Sequence, residues 1–111
     1  MNAAERLWRG IARRDWEAVR AQFHSSATIE RLGGQDSGAR LDVEELIAAH
    51  RVAAARDDFD VEVLHTLTDG QFCVIEARAG DNRCAGIYDL HVGRIAAATE
   101  YWAYGSSSRS S

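Results

Sequence analysis

Residues 59–104 read FDVEVLHTLTDGQFCVIEARAGDNRCAGIYDLHVGRIAAATEYWAY, and the period of this stretch decides the fold. From its start, apolar Phe59, Val61, Val63 and Leu67 interleave with polar Asp60 and Glu62. A period of two is the mark of a half-buried strand. Asp69-Gly70 is a hairpin turn signal, and Gly80-Asp81-Asn82 and Gly93-Arg94 mark two further turns. The strands predicted between and after them are Phe72–Ala79, Cys84–Val92 and Ile95–Tyr104. Strands joined in sequence by tight turns make an antiparallel meander.

Upstream the period lengthens. Leu7, Trp8, Ile11 and Ala12 form a helical stripe within Ala3–Arg13. Asp15 can cap a second, shorter helix carrying Trp16, Val19 and Phe23. Ala27–Arg31 reads as a short strand, and Gly33, Gly34, Ser37 and Gly38 make the next segment a flexible loop. Asp42 and Glu45 have capping-box spacing at the start of a third helix, whose stripe is Val43, Leu46, Ile47 and Val52. The order is helix, helix, strand, helix, then four strands. It predicts an α+β cone, a strongly curved antiparallel sheet with three helices packed on its concave side. Such a cone leaves a pocket at one end. Residues 1–105 are expected to form one domain, and Ser106–Ser111 a Ser-rich flexible tail.

Composition removes several chemistries. The chain has 111 residues and a formal net charge of -4, and all 13 of its Lys+Arg residues are arginines. Without lysine there is no Schiff-base amine, no P-loop lysine and no pyridoxal anchor. The arginines alternate with acids along the helices, which argues against nucleic acid as a partner. No apolar run approaches the ~18 residues of a membrane span. Met1–Arg9 lacks the apolar stretch of a signal peptide, so a cytoplasmic location is expected. Neither a Gly-x-Gly-x-x-Gly nor a Gly-x-Ser-x-Gly motif occurs, and no cofactor is expected. Cys73 and Cys84 read as reduced strand residues. His24, His50, His65 and His91 lack metal-ligand spacing, so no metal is expected.

Strand parity points to the candidate site. Ala96, Ala98, Glu100 and Trp102 share one face of the last strand, and its apolar character marks it as interior. Glu100 is the odd polar residue there. A carboxylate in that position is costly unless it is paired or shares a proton. It suits general acid or base work, or a structural ion pair with Arg78 or Arg31. Tyr88 shares a face with Leu90 and Val92, and its hydroxyl could donate into the pocket or reach the surface. Glu76 and Arg78 lie on one face with Phe72 and Val74, and read inward they pair with Glu100. Trp102 is expected to line the cavity, whereas Trp8 and Trp16 pack helix on sheet. His65 reads as a structural histidine. Ile75, Ile87, Tyr101 and Ala103 are assigned to the outer face, as apolar area for a homodimer.

Three stretches carry a family resemblance: Arg13-Arg14-Asp15-Trp16-Glu17-Ala18-Val19; Ala27-Thr28-Ile29-Glu30 with Gly38; and Gly93-Arg94-Ile95 with Thr99-Glu100-Tyr101-Trp102. From Ala3 to Tyr104 the chain resembles the NTF2-like superfamily, and within it the SnoaL-like proteins. That group includes ketosteroid isomerases, polyketide cyclases and epoxide hydrolases. The resemblance puts Arg31 where an isomerase has its base carboxylate, Leu7 at the helix-tyrosine position and Tyr88 at the acid-donor position. Steroid isomerisation by that mechanism is therefore not implied, although Glu30 could serve as base in a register one residue away. For an epoxide hydrolase, Glu100 matches one carboxylate of the triad. Glu76 and Arg78 have the spacing of the other two groups but in reversed order, with Ala77 and Ala79 at the matching positions. For a cyclase, Glu100 or Glu30 could be the acid/base carboxylate.

The resemblance implies a small-molecule protein with an apolar pocket, an acid/base isomerase, cyclase or hydrolase centred on Glu100. Glu30 and Tyr88 complete the catalytic candidates, and Trp102, Arg78, Glu76, Arg31 and Leu90 are the candidate ligand contacts. The ligand would be a small apolar molecule. The other reading is a non-catalytic ligand-binding or dimerisation module on the same fold.

Overall fold

The structure is a computed structural model and describes residues 1–33, 38–56 and 59–105. The expected tail, 106–111, and residues 34–37 of the expected loop lie outside the described residues. In chain order the elements are α1 (Ala3–Arg13), α2 (Trp16–Ala21), β1 (Phe23–Leu32), β2 (Ala39–Leu41), α3 (Val43–Ala54), β3 (Val61–Asp69), β4 (Phe72–Ala79), β5 (Asn82–His91) and β6 (Arg94–Ala103). The α+β order is the one the periodicity predicts. Phe23 opens β1 rather than closing α2, and the short strand β2 is additional.

Local chemistry sets the helix starts. Asn2 with Glu5, and Asp42 with Glu45, close reciprocal capping boxes on α1 and α3, while the Asp15 carboxylate accepts from the Ala18 N–H on α2. Each cap satisfies amide donors that the helix cannot pair internally. The buried stripe of α1 is Leu7, Trp8 and Ile11, and that of α3 is Val43, Leu46 and Ile47. They pack on Ile29, Cys73, Ile75, Tyr88 and Ile95 from the sheet. Burying a large apolar side chain contributes about 1.5–3 kcal/mol, so this layer is the main source of stability. No described helix is long and apolar enough to cross a membrane.

The sheet order is β2-β1-β6-β5-β4-β3. The meander β3–β6 is antiparallel throughout, but β1 pairs with β6 in parallel, so the expected antiparallel sheet is in fact mixed. Hairpin signals are local, whereas a β1–β6 pairing across most of the chain leaves no turn signature. Its register sets Arg31 opposite Glu100.

Parity corrects three further expectations. On β4 the buried residues are Cys73, Ile75, Ala77 and Ala79, so Ile75 belongs to the core and not to an outer face. Glu76 and Arg78 accordingly point away from the helices with Phe72 and Val74. On β3 a bulge between Val63 and His65 adds one residue, and Leu67 ends up on the side opposite Val63. On β6 an irregularity opposite Asp89 and Leu90 leaves Ala96 half-buried, with Ile95 in the core in its place. The outer face carries Phe72, Val74, Ile87 and Tyr101, all partly exposed.

The β5–β6 turn falls one residue earlier than Gly93-Arg94. Val92 has φ 51° and Gly93 has φ 76°. Two consecutive left-handed residues are the signature of a tight hairpin turn. Glycine takes that conformation freely, but a β-branched side chain is strained in it. Val92 is 97% exposed, so no packing offsets the strain. Val92→Asn should therefore raise stability by about 1 kcal/mol, read as a higher denaturant midpoint with an unchanged slope.

Candidate functional site

The Arg31–Glu100 pairing of β1 and β6 puts a cation and a carboxylate side by side under α3. Glu100 is fully buried and Arg31 is 9% exposed. Arg31 Nε lies 3.4 Å from Glu100 Oε1. That is ion-pair distance without hydrogen-bond alignment, since Arg31 Nε has no hydrogen-bond partner. The carboxylate is held instead by neutral donors. Tyr88 Oη donates to Glu100 Oε2 at 2.8 Å, and Trp102 Nε1 donates to Oε1 at 3.1 Å. Behind Tyr88, Trp8 Nε1 donates to the Tyr88 oxygen at 2.9 Å. Helix α1 and strands β5 and β6 thus share one hydrogen-bonded chain, Trp8 to Tyr88 to Glu100, closed by Trp102.

Small residues make room for it. A Cβ on Gly86 would lie 2.4 Å from the Tyr88 hydroxyl, so Gly86 is the space into which the phenol folds. Gly33, at φ 105°, sits where a Cβ would come within 2.0 Å of the Trp102 carbonyl oxygen. That close approach fixes the end of β1 against β6. Burial and the neighbouring Glu100 charge push the Tyr88 hydroxyl well above its ordinary range, so it remains a proton donor. Burial, aided by Glu100, likewise pushes the Cys84 thiol up and leaves it protonated.

Arg31 has two further neighbours. Its guanidinium carbon lies 5.0 Å from the centroid of the Trp102 ring. Its Nη2 donates to His50 Nε2 at 3.3 Å. A guanidinium cannot accept, so His50 Nε2 must hold the lone pair and the imidazole is neutral. Burial, reinforced by the Arg31 charge, pushes His50 down to about 3, in agreement with that assignment. The His50 ring stands edge-on to Trp8 at 5.9 Å. Trp102 in turn stacks on Tyr104, with ring centroids 6.1 Å apart.

These groups border a cavity of about 620 Å³. Buried Arg31, His50 and Trp102 line it, and Phe59, Ala53 and Tyr104 extend its walls. Exposed Arg56 and Asp81 also line it. Glu100 itself does not, because Arg31 and Trp102 cover it.

Glu100, Tyr88, Trp102 and Arg31 therefore meet, and the other sequence candidates lie elsewhere. Glu30 faces the opposite side of β1 from Arg31, next to Thr99. Glu76 pairs with His65 at 2.7 Å and with Arg83 at 3.2 Å on the outer face. Arg78 pairs with Glu62 at 3.1 Å and Asp60 at 3.5 Å. Leu90 packs near the β5–β6 turn opposite Ile95, at the far end of β5 from Cys84, the partner of Trp102. Sequence reading passed over His50 and Trp8 as site residues. The signal for His50 was its place on the α3 stripe, one turn beyond Leu46 and Ile47. Among the described residues no group of three or more His, Cys, Asp or Glu side chains gathers as a metal site.

The His50 environment has a measurable consequence. In the unfolded chain its imidazole titrates near 6.5, and in the fold near 3. Below pH 6.5 the unfolded state takes up a proton that the native state refuses, so stability falls as pH falls towards 3. The slope from this residue approaches about 1.4 kcal/mol per pH unit. Denaturant titrations between pH 6.5 and 4.5 should show that loss in the unaltered protein and a flatter profile in His50→Gln.

No protein-family model matches the chain, and no curated protein does. Solved structures match it well. Wild-type IdmH of Streptomyces antibioticus, provisionally described as a polyketide cyclase, superposes with a TM-score of 0.75 at 15% identity, over 90% of this chain and 88% of its own. A SnoaL-like protein of unknown function from Burkholderia thailandensis E264 gives 0.74 at 15%, over 90% and 91%. A protein of Kribbella flavida, provisionally described as a ketosteroid isomerase, gives 0.70 at 18%, over 93% and 76%. Identities this low speak for architecture alone, and the architecture of this chain is the NTF2-like fold.

Proposed function

We propose that this chain takes a small, mostly apolar molecule into the cavity beside Trp102, with Glu100 as the ionisable centre that holds the polar end of that cavity in place. The observation that carries the reading is the convergence of buried Arg31, His50 and Trp102 on one cavity of about 620 Å³, walled further by Phe59 and Tyr104. Buried polar groups set beside apolar and aromatic walls are common in ligand sites. Glu100 lies one layer below that surface. This favours a binding protein in which Glu100 positions Arg31 and Trp102. The solved neighbours described as a cyclase and as an isomerase, together with the Tyr88–Glu100 hydrogen bond, keep a second reading in play. In it the Trp102 indole swings off Oε1 and the carboxylate acts as acid or base on the ligand.

The test uses N-phenyl-1-naphthylamine, a neutral apolar fluorophore. Saturable one-to-one binding is expected, abolished by Ala53→Trp, which fills the cavity from α3. Absence of saturable binding, or binding indifferent to Ala53→Trp, would end the proposal. Glu100→Gln should weaken the probe only severalfold if Glu100 positions its neighbours.

The outer sheet face supports a further part of the proposal, a homodimer. Phe72, Val74, Ile87 and Tyr101 offer apolar area there, on strands next to one another. Sedimentation equilibrium should give twice the chain mass, and Tyr101→Arg should lower it. A monomer mass at every concentration would remove this part.

A further inference from the structure

The cavity holds a cation with more donors than acceptors around it. A guanidinium carries five N–H groups. The hydrogen bond that Arg31 makes with good geometry goes to His50. Its Nε is the one buried side-chain nitrogen or oxygen, among the described residues, with no hydrogen-bond partner. Glu100 is its counter-ion, but that carboxylate spends its hydrogen bonds on Tyr88 and Trp102. The Arg31 Nε faces Glu100 and is shut off from the cavity, so an oxygen entering the cavity would meet the Nη groups, which have N–H donors to spare beyond the one given to His50. The guanidinium also lies over the Trp102 ring, its carbon 5.0 Å from the centroid. A planar guanidinium fork with free N–H groups is suited to a carboxylate.

From this geometry we infer that the ligand is an acid, a small molecule with an aromatic or otherwise flat apolar body whose carboxylate binds Arg31. The inference rests on the small-molecule reading above and specifies its ligand class. The body of the acid lies along Trp102, Phe59 and Ala53, which line the same cavity. His50, neutral and already engaged as an acceptor, adds no competing charge. Arg56 and Asp81 are the other charged residues on the lining, of opposite sign and both exposed. Solvent screens them at the rim, so neither decides the sign of the ligand.

The probe pair is 2-naphthoate and 2-naphthalenemethanol, which differ in charge and hardly in shape. Titration calorimetry on the folded chain, with Trp fluorescence as a second readout, gives both affinities. The acid is expected to bind at least about tenfold more tightly, the scale of a charge-assisted hydrogen bond. Ala53→Trp should abolish binding of both. Arg31→Lys should keep part of the preference for the acid. Arg31→Met would strand the Glu100 carboxylate and could unfold the chain. The double variant Arg31→Met/Glu100→Gln removes both charges together and should bind acid and alcohol alike. Equal affinities in the unaltered protein, both lost in Ala53→Trp, would overturn the acid and leave the small-molecule cavity standing. A preference for the acid that survives in the double variant would also overturn it. Failure of both probes to bind would overturn the acid and the cavity reading together.

Discussion

Arg31 and Glu100 face each other across two parallel strands, both buried. Burying a carboxylate and a guanidinium costs several kcal/mol per ion, and mutual attraction alone seldom repays it. The surroundings of this pair are best understood as what makes that burial tolerable. Tyr88 and Trp102 give hydrogen bonds to the carboxylate. Trp8 supports Tyr88 from α1, and His50 accepts from the guanidinium from α3. Two helices and three strands are tied to one ionic centre, and the pairing of β1 with β6 cannot slip a residue without separating the charges.

That arrangement also explains the division of labour between the two faces of the sheet. The outer face carries ion pairs that water reaches, such as Glu76 with His65 and Arg78 with Glu62. Exposed pairs of this kind contribute little. The inner face carries one pair inside an apolar layer of Ile29, Ile75, Ala77 and Ala98. There burial first, and the neighbouring charge second, keep His50 neutral and Tyr88 protonated. The absence of lysine bears on the same point. Arginine keeps its charge under burial that would neutralise an amine, so a cation can persist under α3 at neutral pH.

The same centre separates the fold from its chemistry. The NTF2-like architecture is shared with solved proteins at 15% identity. On that architecture this chain places an arginine on the cavity side of β1 and a carboxylate one layer deeper on β6. Function on a shared fold follows such placements and not the fold itself.

Much of this was legible in the chain. The period of two after Phe59, the glycine-marked turns and the capping residues Asp15 and Asp42 act over a few neighbours, so the sequence determined the element order. The oddity of Glu100 on an apolar face was legible for the same reason, because alternation along one strand is local. What only the tertiary structure decided depends on distant pairing. The choice of Arg31 over Arg78 as partner for Glu100, the outward turn of Glu30, Glu76 and Arg78, and the return of His50 and Trp8 to the same centre all follow from β1 docking beside β6 and from bulges that shift parity by one residue. A strand records which residues share a face. Which face is buried is settled by the elements that come to cover it.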